Sequence, residues 1–330
     1  MAVNIKDVAQ KAGVSPATVS KYLHGKKLKE KNQLAIEKAI KELNFTVNEF
    51  ARALRTHNSM TIGVLIPNLD NMFFTTIISY MENILTQYGY STIICDCQLD
   101  ADTEKKKLDF LLQKKVSGLI IIPYKLTNAT LEHLHVPIVL IDRIIETASV
   151  SAVITDNRKI SYEATQYLIN KGHRKIASIH GLLDISTARE RLKGYKEAMT
   201  DNGLNDFSSL IYAEDYDVQT GYKGIMKLMS ENEGITAVIA YNKEIATGAL
   251  VAIHELGLNI PEDISVVGFD CGDFAQAINP KLTYVCQPMD EIGQTAAQIL
   301  LEKINTPLTP NKQVVLSTTI IEGGSVKNLL

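Results

Sequence analysis

The 330-residue chain is poor in cysteine, with four, and has no tryptophan. No run of 18 apolar residues occurs, and the amino terminus holds no apolar stretch of secretory-leader length. The expected location is therefore the cytoplasm. Cys95, Cys97, Cys271 and Cys286 form one C-x-C pair and nothing with zinc-site spacing, so all four are expected as reduced thiols. The seven histidines are scattered, and neither a metal nor a cofactor is expected. No G-x-G-x-x-G follows the first strand-like run, and no G-x-S-x-G or Walker loop appears. A dinucleotide-dependent enzyme is thus left without its phosphate cradle, and no enzymatic activity is expected.

Charge is distributed unevenly. Residues 1–60 carry 11 Lys and Arg against 5 Asp and Glu, whereas the remainder carries 23 against 32. A basic head on an acidic body fits a nucleic-acid-binding module joined to something else.

The head reads as two helices and a tight turn. Asn4 suits a helix cap with Asp7 three residues on, and Ile5, Val8, Ala9 and Ala12 share one apolar face. Gly13 supplies a left-handed turn, and Val14 turns inward. Ser15 caps a second helix with Pro16 at its first position. Val19, Tyr22 and Leu23 face the core, leaving Ala17, Thr18, Ser20, Lys21 and His24 outward. An ordinary helical hairpin is the alternative. A third helix is expected from about Asn32 to Leu43, with Leu34, Ile36, Ala39, Ile40 and Leu43 closing the core. The segment from Asn48 to Arg55 is helix-permissive but too short to fold alone. It reads either as a linker or as a helix formed when two copies meet on DNA, with Leu54 wedged into the minor groove beside Ala51 and Arg52.

The body alternates strand-like runs (61–67, 91–95, 118–122, 137–141, 175–180, 210–213, 236–240 and 264–269) with helix-like runs (73–88, 103–115, 158–171, 188–202, 219–231, 243–256 and 289–303). This predicts an α/β fold of parallel sheets covered by helices, in two lobes because about 270 residues exceed one such core. Asp156-Asn157 is a candidate crossover. Ligands of such sheets bind outside the carboxyl ends of strands. Asp142, Arg143, Asn242 and Asp270 follow strands there, and Arg191 lies in the helical run after 180. Carboxylates accept hydroxyl hydrogen bonds and arginine donates a fork, which suits a hydroxyl-rich ligand. Loop capping or lobe bridging is the alternative for each.

The strings DVAQKAGVSPATVSKYLHGK (7–26), ELNFTVNEFARALR (42–55) and TIGVLIPNL (61–69) resemble the LacI/GalR family of bacterial transcription regulators. VSGLIIIP (116–123), GHRKIASIHG (172–181), IAYNKEIATGAL (239–250) and GLNIPEDISVVGFD (257–270) continue the resemblance in order. It implies a helix-turn-helix domain (1–46), a hinge helix and linker (47–60), and a periplasmic-binding-protein-like body. The lobes would comprise 61–157 with about 289–316, and 158–288 with about 317–330. It places Arg191, Asn242 and Asp270 on effector-contacting positions, and Phe73 and Phe74, in the segment after the first strand, are expected to bind the effector with them and with Asp142 and Arg143. Lys243 and Cys271 stand where acidic residues are common, which leaves room for an anionic effector. Lys29 replaces a common capping serine, and Val47 and Glu49 depart from the usual hinge.

On DNA, Pro16 and Ala17 are expected to face base edges, Lys21 to reach guanine, and Ser15, Thr18 and Ser20 to bind phosphate, with His24 and Asn48 beside them. A dimer would read a near-palindromic operator. The expected function is an operator-binding regulator, a repressor, whose DNA affinity responds to a sugar or sugar derivative between the lobes. A solute-binding protein without DNA regulation and control by a protein co-repressor are the alternatives.

Overall fold

The computed structural model describes residues 3–23, 27–45 and 59–330. The chain divides into two compact units, Met1–Ser59 and Met60–Leu330.

In the first unit, α1 (Ile5–Ala12), α2 (Pro16–Leu23) and α3 (Glu30–Glu42) pack around Val8, Ala9, Val19, Ile36 and Ala39. The capping box forms: Asn4 Oδ1 accepts from the Asp7 N–H at 3.4 Å, and the Asn4 N–H donates to Asp7 Oδ2 at 2.8 Å. Gly13 ends α1 at φ 66°, a conformation that costs a Cβ-bearing residue but not glycine. Lys29 caps α3 with no side-chain bond. One expected core residue is misplaced: Leu34 is 60% exposed. It lies two residues from buried Ile36, and at 100° per residue the two point to opposite sides of the helix.

The second unit holds two sheets. β1 (Thr61–Ile66), β2 (Ser91–Asp96), β3 (Gly118–Ile121), β4 (Ile138–Ile141), β5 (Ser151–Thr155) and β11 (Gln313–Leu316) form the first, in the order β11-β5-β4-β3-β1-β2. All its pairings are parallel, as with Val64 opposite both Ile94 and Ile120. β6 (Ile176–His180), β7 (Ile211–Ala213), β8 (Ala237–Ala240), β9 (Ser265–Phe269), β10 (Thr283–Cys286) and β12 (Thr319–Ile321) form the second, ordered β12-β10-β9-β8-β6-β7. The expected parallel sheet forms here too, with one strand added at its edge: β12 runs antiparallel to β10. The chain returns to this sheet through a two-residue link from β11, too short for a crossover helix that would restore the parallel direction.

Helices cover the faces. α4 (Met72–Gln87), α5 (Ala101–Gln113), the single turn α6 (Asn128–Leu131) and α12 (Met289–Asn305) belong with the first sheet. α7 (Asn157–Asn170), α8 (Ser186–Asp201), α9 (Val218–Glu231), α10 (Lys243–Glu255) and α11 (Gly272–Ala277) belong with the second. α9 and α10 meet backbone to backbone: a Cβ on Gly248 would fall 1.8 Å from the Val218 carbonyl oxygen, and one on Gly221 2.0 Å from that of Ile245. The chain passes between lobes three times, after β5, after β10 and between β11 and β12.

Among the described residues no helix is long and apolar enough to cross a membrane, and no cluster of three His, Cys, Asp or Glu is placed to hold a metal ion. The four cysteines are unpaired.

Candidate functional site

The carboxyl ends of the strands open on a cleft of about 240 Å³ between the lobes. β4 delivers Asp142 and Arg143, β8 delivers Asn242, β9 delivers Asp270, and the amino end of α4 delivers Phe73 and Phe74. Arg191, in the second turn of α8, also lines the cleft. All seven sequence-selected cleft residues therefore come together in one cavity. Asp142 and Asp270, each directly following a strand, adopt left-handed backbones at φ 65° and 53°. Such conformations are uncommon outside glycine and turn the side chain sharply off the strand direction.

The charged groups differ in how fully the protein satisfies them. Arg191 donates from Nε to Asn157 Oδ1 at 2.7 Å and from Nη1 to the Tyr241 carbonyl at 2.6 Å, and its guanidinium lies 4.7 Å from the Phe269 ring centroid. Arg143 is 6% exposed, and its guanidinium lies 5.7 Å from the ring centroid of Phe74 and 5.8 Å from that of Tyr216. Its Nη1 donates to the Pro123 carbonyl at 3.3 Å, but its buried Nε has no hydrogen-bond partner. Asp142 Oδ2 stands 3.6 Å from that Nε, an ion pair too long to be a hydrogen bond. Burial raises the pKa of Asp142, opposed by Arg143 and Arg191. Asp270 is pushed up to about 6 by burial, against the pull of Arg191 and the hydrogen bonds from Gln287.

Asn242 is more committed than the sequence suggests. Its Oδ1 caps α10 by accepting from the Ile245 N–H at 2.7 Å, and its Nδ2 donates to the Tyr216 carbonyl and Glu244 Oε2 at 3.2 and 2.9 Å. Both amide hydrogens are used, which leaves it an acceptor lone pair for a ligand. Lys243 reaches Met72 Sδ across the cleft at 3.0 Å. The lining carries six carboxylates against three cations, an excess of negative charge that opposes an anionic ligand. The lobes also touch through Lys125–Asp184, through Arg189–Glu146 at 2.8 Å, and through the Ile144 N–H and Ser186 Oγ at 3.3 Å.

In the head, Ser15 Oγ accepts from the Thr18 N–H at 3.2 Å and shares a 2.9 Å hydrogen bond with Thr18 Oγ1. Pro16, Ala17 and Lys21 are exposed along α2, while Thr18 and Ser20 are half-buried. Tyr22 Oη donates to Glu37 at 3.0 Å and ties α2 to α3. His24, Asn48, Ala51, Arg52 and Leu54 lie outside the described residues.

Residues 4–48 match the family model of bacterial regulatory proteins of the lacI family, and residues 59–323 match that of periplasmic binding proteins and the sugar binding domain of the LacI family. The chain belongs to the LacI family. A similar member is the HTH-type transcriptional regulator RegA of Clostridium saccharobutylicum, 35% identical over 98% of each chain. The Lac repressor dimer bound to operator and the anti-inducer ONPF is similar in structure, with a TM-score of 0.88, 27% identity and coverage of 99% of this chain and 100% of that one. A LacI family regulator from Enterococcus faecium with bound ribose gives a TM-score of 0.74 and 29% identity, covering 82% and 100%.

Within this LacI-family cleft, sequence reasoning passed over Tyr124, Tyr216, Glu244 and Gln287. Tyr124 follows a strand, so the rule that selected Asp142 also reaches it. Tyr216 and Glu244 sit in loop and helix segments with no pattern of their own. Gln287 is 3% exposed and carries no charge to draw notice.

Proposed function

We propose that this chain is a dimeric, operator-binding transcription regulator of the repressor type, acting in the cytoplasm, whose effector is a neutral sugar held between the lobes. The observation that carries the effector reading is the unpartnered Nε of Arg143, buried beside the carboxylate of Asp142 in a cleft at the strand ends. A buried N–H without an acceptor costs about 1–3 kcal/mol, and a ligand oxygen at this point recovers it. Asp142 and Asp270 accept from sugar hydroxyls, Arg143 and Arg191 donate to ring or hydroxyl oxygens, and Asn242 accepts. Phe73 and Phe74, with ring centroids 5.6 Å apart, pack the apolar face of the sugar. The excess of carboxylates favours a free sugar over its phosphate. Ribose, bound by the Enterococcus faecium relative, is the first sugar to try.

On the DNA side, α2 enters the major groove. Pro16 and Ala17 contact thymine methyls, Lys21 donates to guanine O6 and N7, and Ser15, Thr18 and Ser20 fix register on phosphates. Leu54 of the hinge opens a central base step from the minor groove, flanked by Ala51 and Arg52. Two copies read a near-palindrome, and a sugar that prefers one arrangement of the lobes shifts operator affinity by its differential binding.

The test is a thermal-shift and calorimetric panel of D-ribose, hexoses, nucleosides and ribose 5-phosphate. A ligand of the native state raises the melting temperature by mass action. A neutral sugar should bind, and Arg143→Met and Asp270→Asn should weaken it. Tight binding of the phosphate alone would contradict the reading.

A further inference from the structure

Gln287 lies in the crossover that leaves β10 and is 3% exposed. Its side chain is committed at both ends. Nε2 donates to Asp270 Oδ2 at 2.7 Å, and Oε1 accepts from Thr155 Oγ1 at 2.6 Å. Its backbone N–H donates to Asp270 Oδ1 at 3.1 Å. Thr155 is the last residue of β5, in the other lobe, at the start of a second crossover, and it does not line the cleft. The connection continues from there. The Thr155 carbonyl accepts from Asn157 Nδ2 at 3.2 Å, and Asn157 Oδ1 accepts from Arg191 Nε at 2.7 Å. One chain of hydrogen bonds thus runs from Asp270 through two lobe-to-lobe crossovers to Arg191.

The chemistry fixes its polarity. A carboxylate only accepts, so the amide must turn its NH₂ toward Asp270 and its oxygen toward Thr155. Flipping the amide would set its oxygen against the carboxylate oxygen at 2.7 Å, with no proton between them, and would give up the bond donated by the Thr155 hydroxyl. The position of the Asp270 carboxylate is therefore tied to the position of the β5 end relative to β10, which is a statement about how the lobes are set.

We infer that Gln287 is a positioning residue that couples the cleft to the lobe crossovers through Thr155. This rests on the sugar-effector reading above. A sugar hydroxyl that binds Asp270 selects the lobe setting in which Gln287 and Thr155 remain bonded. Breaking the Thr155 end leaves the cleft lining intact but lets the crossovers move independently of it.

The experiment uses the full chain, D-ribose as probe, and an operator duplex recovered by selection from random sequences. Ribose affinity is measured by calorimetry, and operator Kd is measured with and without saturating ribose. In Thr155→Val, ribose Kd should change less than threefold, while the ratio of the two operator Kd values should move at least fivefold toward one. Thr155→Ser, which keeps the hydroxyl, should restore the wild-type ratio. Gln287→Met should lose both the ratio and ribose affinity. A purely structural role would lower the melting temperature of Thr155→Val and leave the ratio unchanged, and that result would overturn the inference while sparing the sugar reading. A wild-type protein that binds its operator but ignores ribose and the rest of the sugar panel would overturn both.

Discussion

His180 stacks on Tyr241 with ring centroids 4.2 Å apart and an interplanar angle of 14°. Its Nε2 lies 2.6 Å from Ser178 Oγ, and Nδ1 is buried without a partner. Burial, with Arg191 and Lys196 nearby, pushes the imidazole down to about 3. The folded chain therefore keeps this ring neutral where the unfolded chain protonates it, so stability falls as pH drops from about 6.5 toward 3. At pH 5 this one group should cost about 2 kcal/mol relative to pH 8. His180→Phe keeps the stack and removes the titration. Denaturant melts of the two proteins at both pH values should show a flatter pH response for the variant, and parallel responses would contradict the assignment.

On the proposed reading, Asp270 should give effector binding a pH dependence. Its carboxyl, held up at about 6 by burial with Arg191 and Gln287 pulling down, can accept sugar hydroxyls at both oxygens only when ionised. Ribose affinity should be flat above pH 7 and fall as pH drops through 6, approaching tenfold per unit. Asp270→Asn should bind more weakly at pH 7.5 and lose most of this slope. Calorimetry from pH 5 to 8 checks both.

Arg143 offers a sharper test of donor geometry. Lysine preserves the charge but cannot offer a flat guanidinium to the Phe74 and Tyr216 rings or supply the Nε donor. Arg143→Lys should therefore weaken ribose by at least tenfold, about 1.4 kcal/mol, with operator binding in the absence of sugar nearly unchanged.

On the head, Lys21 is the exposed donor of α2. Lys21→Ala should cost about 1–3 kcal/mol on the best operator and relax discrimination at one base position. Anisotropy titrations on cognate and scrambled duplexes read this directly. An unchanged ratio between the two would remove Lys21 from base reading.

The parts of this structure legible in the sequence are those decided locally. The Asn4–Asp7 box, Gly13 and Ser15 depend on neighbours within four residues, and all three form as their spacing requires. The long helices and the apolar strands from β1 to β9 are likewise legible, with one exception. Ser151–Thr155 has Ser and Thr at its ends and only Val153 and Ile154 as large apolar residues, too weak a run to separate from a loop, yet it forms β5 because β4 and β11 lie on either side to pair with it. β12 and its reversed direction depend on a chain return invisible to periodicity. The cleft follows the same division. Strand-end position selects Asp142, Arg143 and Asp270, but not the work of Gln287, whose partners lie 17 and 132 residues away. Leu34 departs for a different reason: its apolar character points to the core, but its angle on the helix, opposite Ile36, turns it to solvent.

The central claim is that a neutral sugar in the cleft changes how the head holds DNA. The most direct measurement is operator affinity by fluorescence anisotropy across the sugar panel, for wild type and Asp270→Asn together. At least one neutral sugar should shift the wild-type operator Kd by fivefold or more, and the same concentration should leave the variant's Kd unmoved. Specific operator binding that no sugar alters, or an equal shift in the variant, would contradict the account.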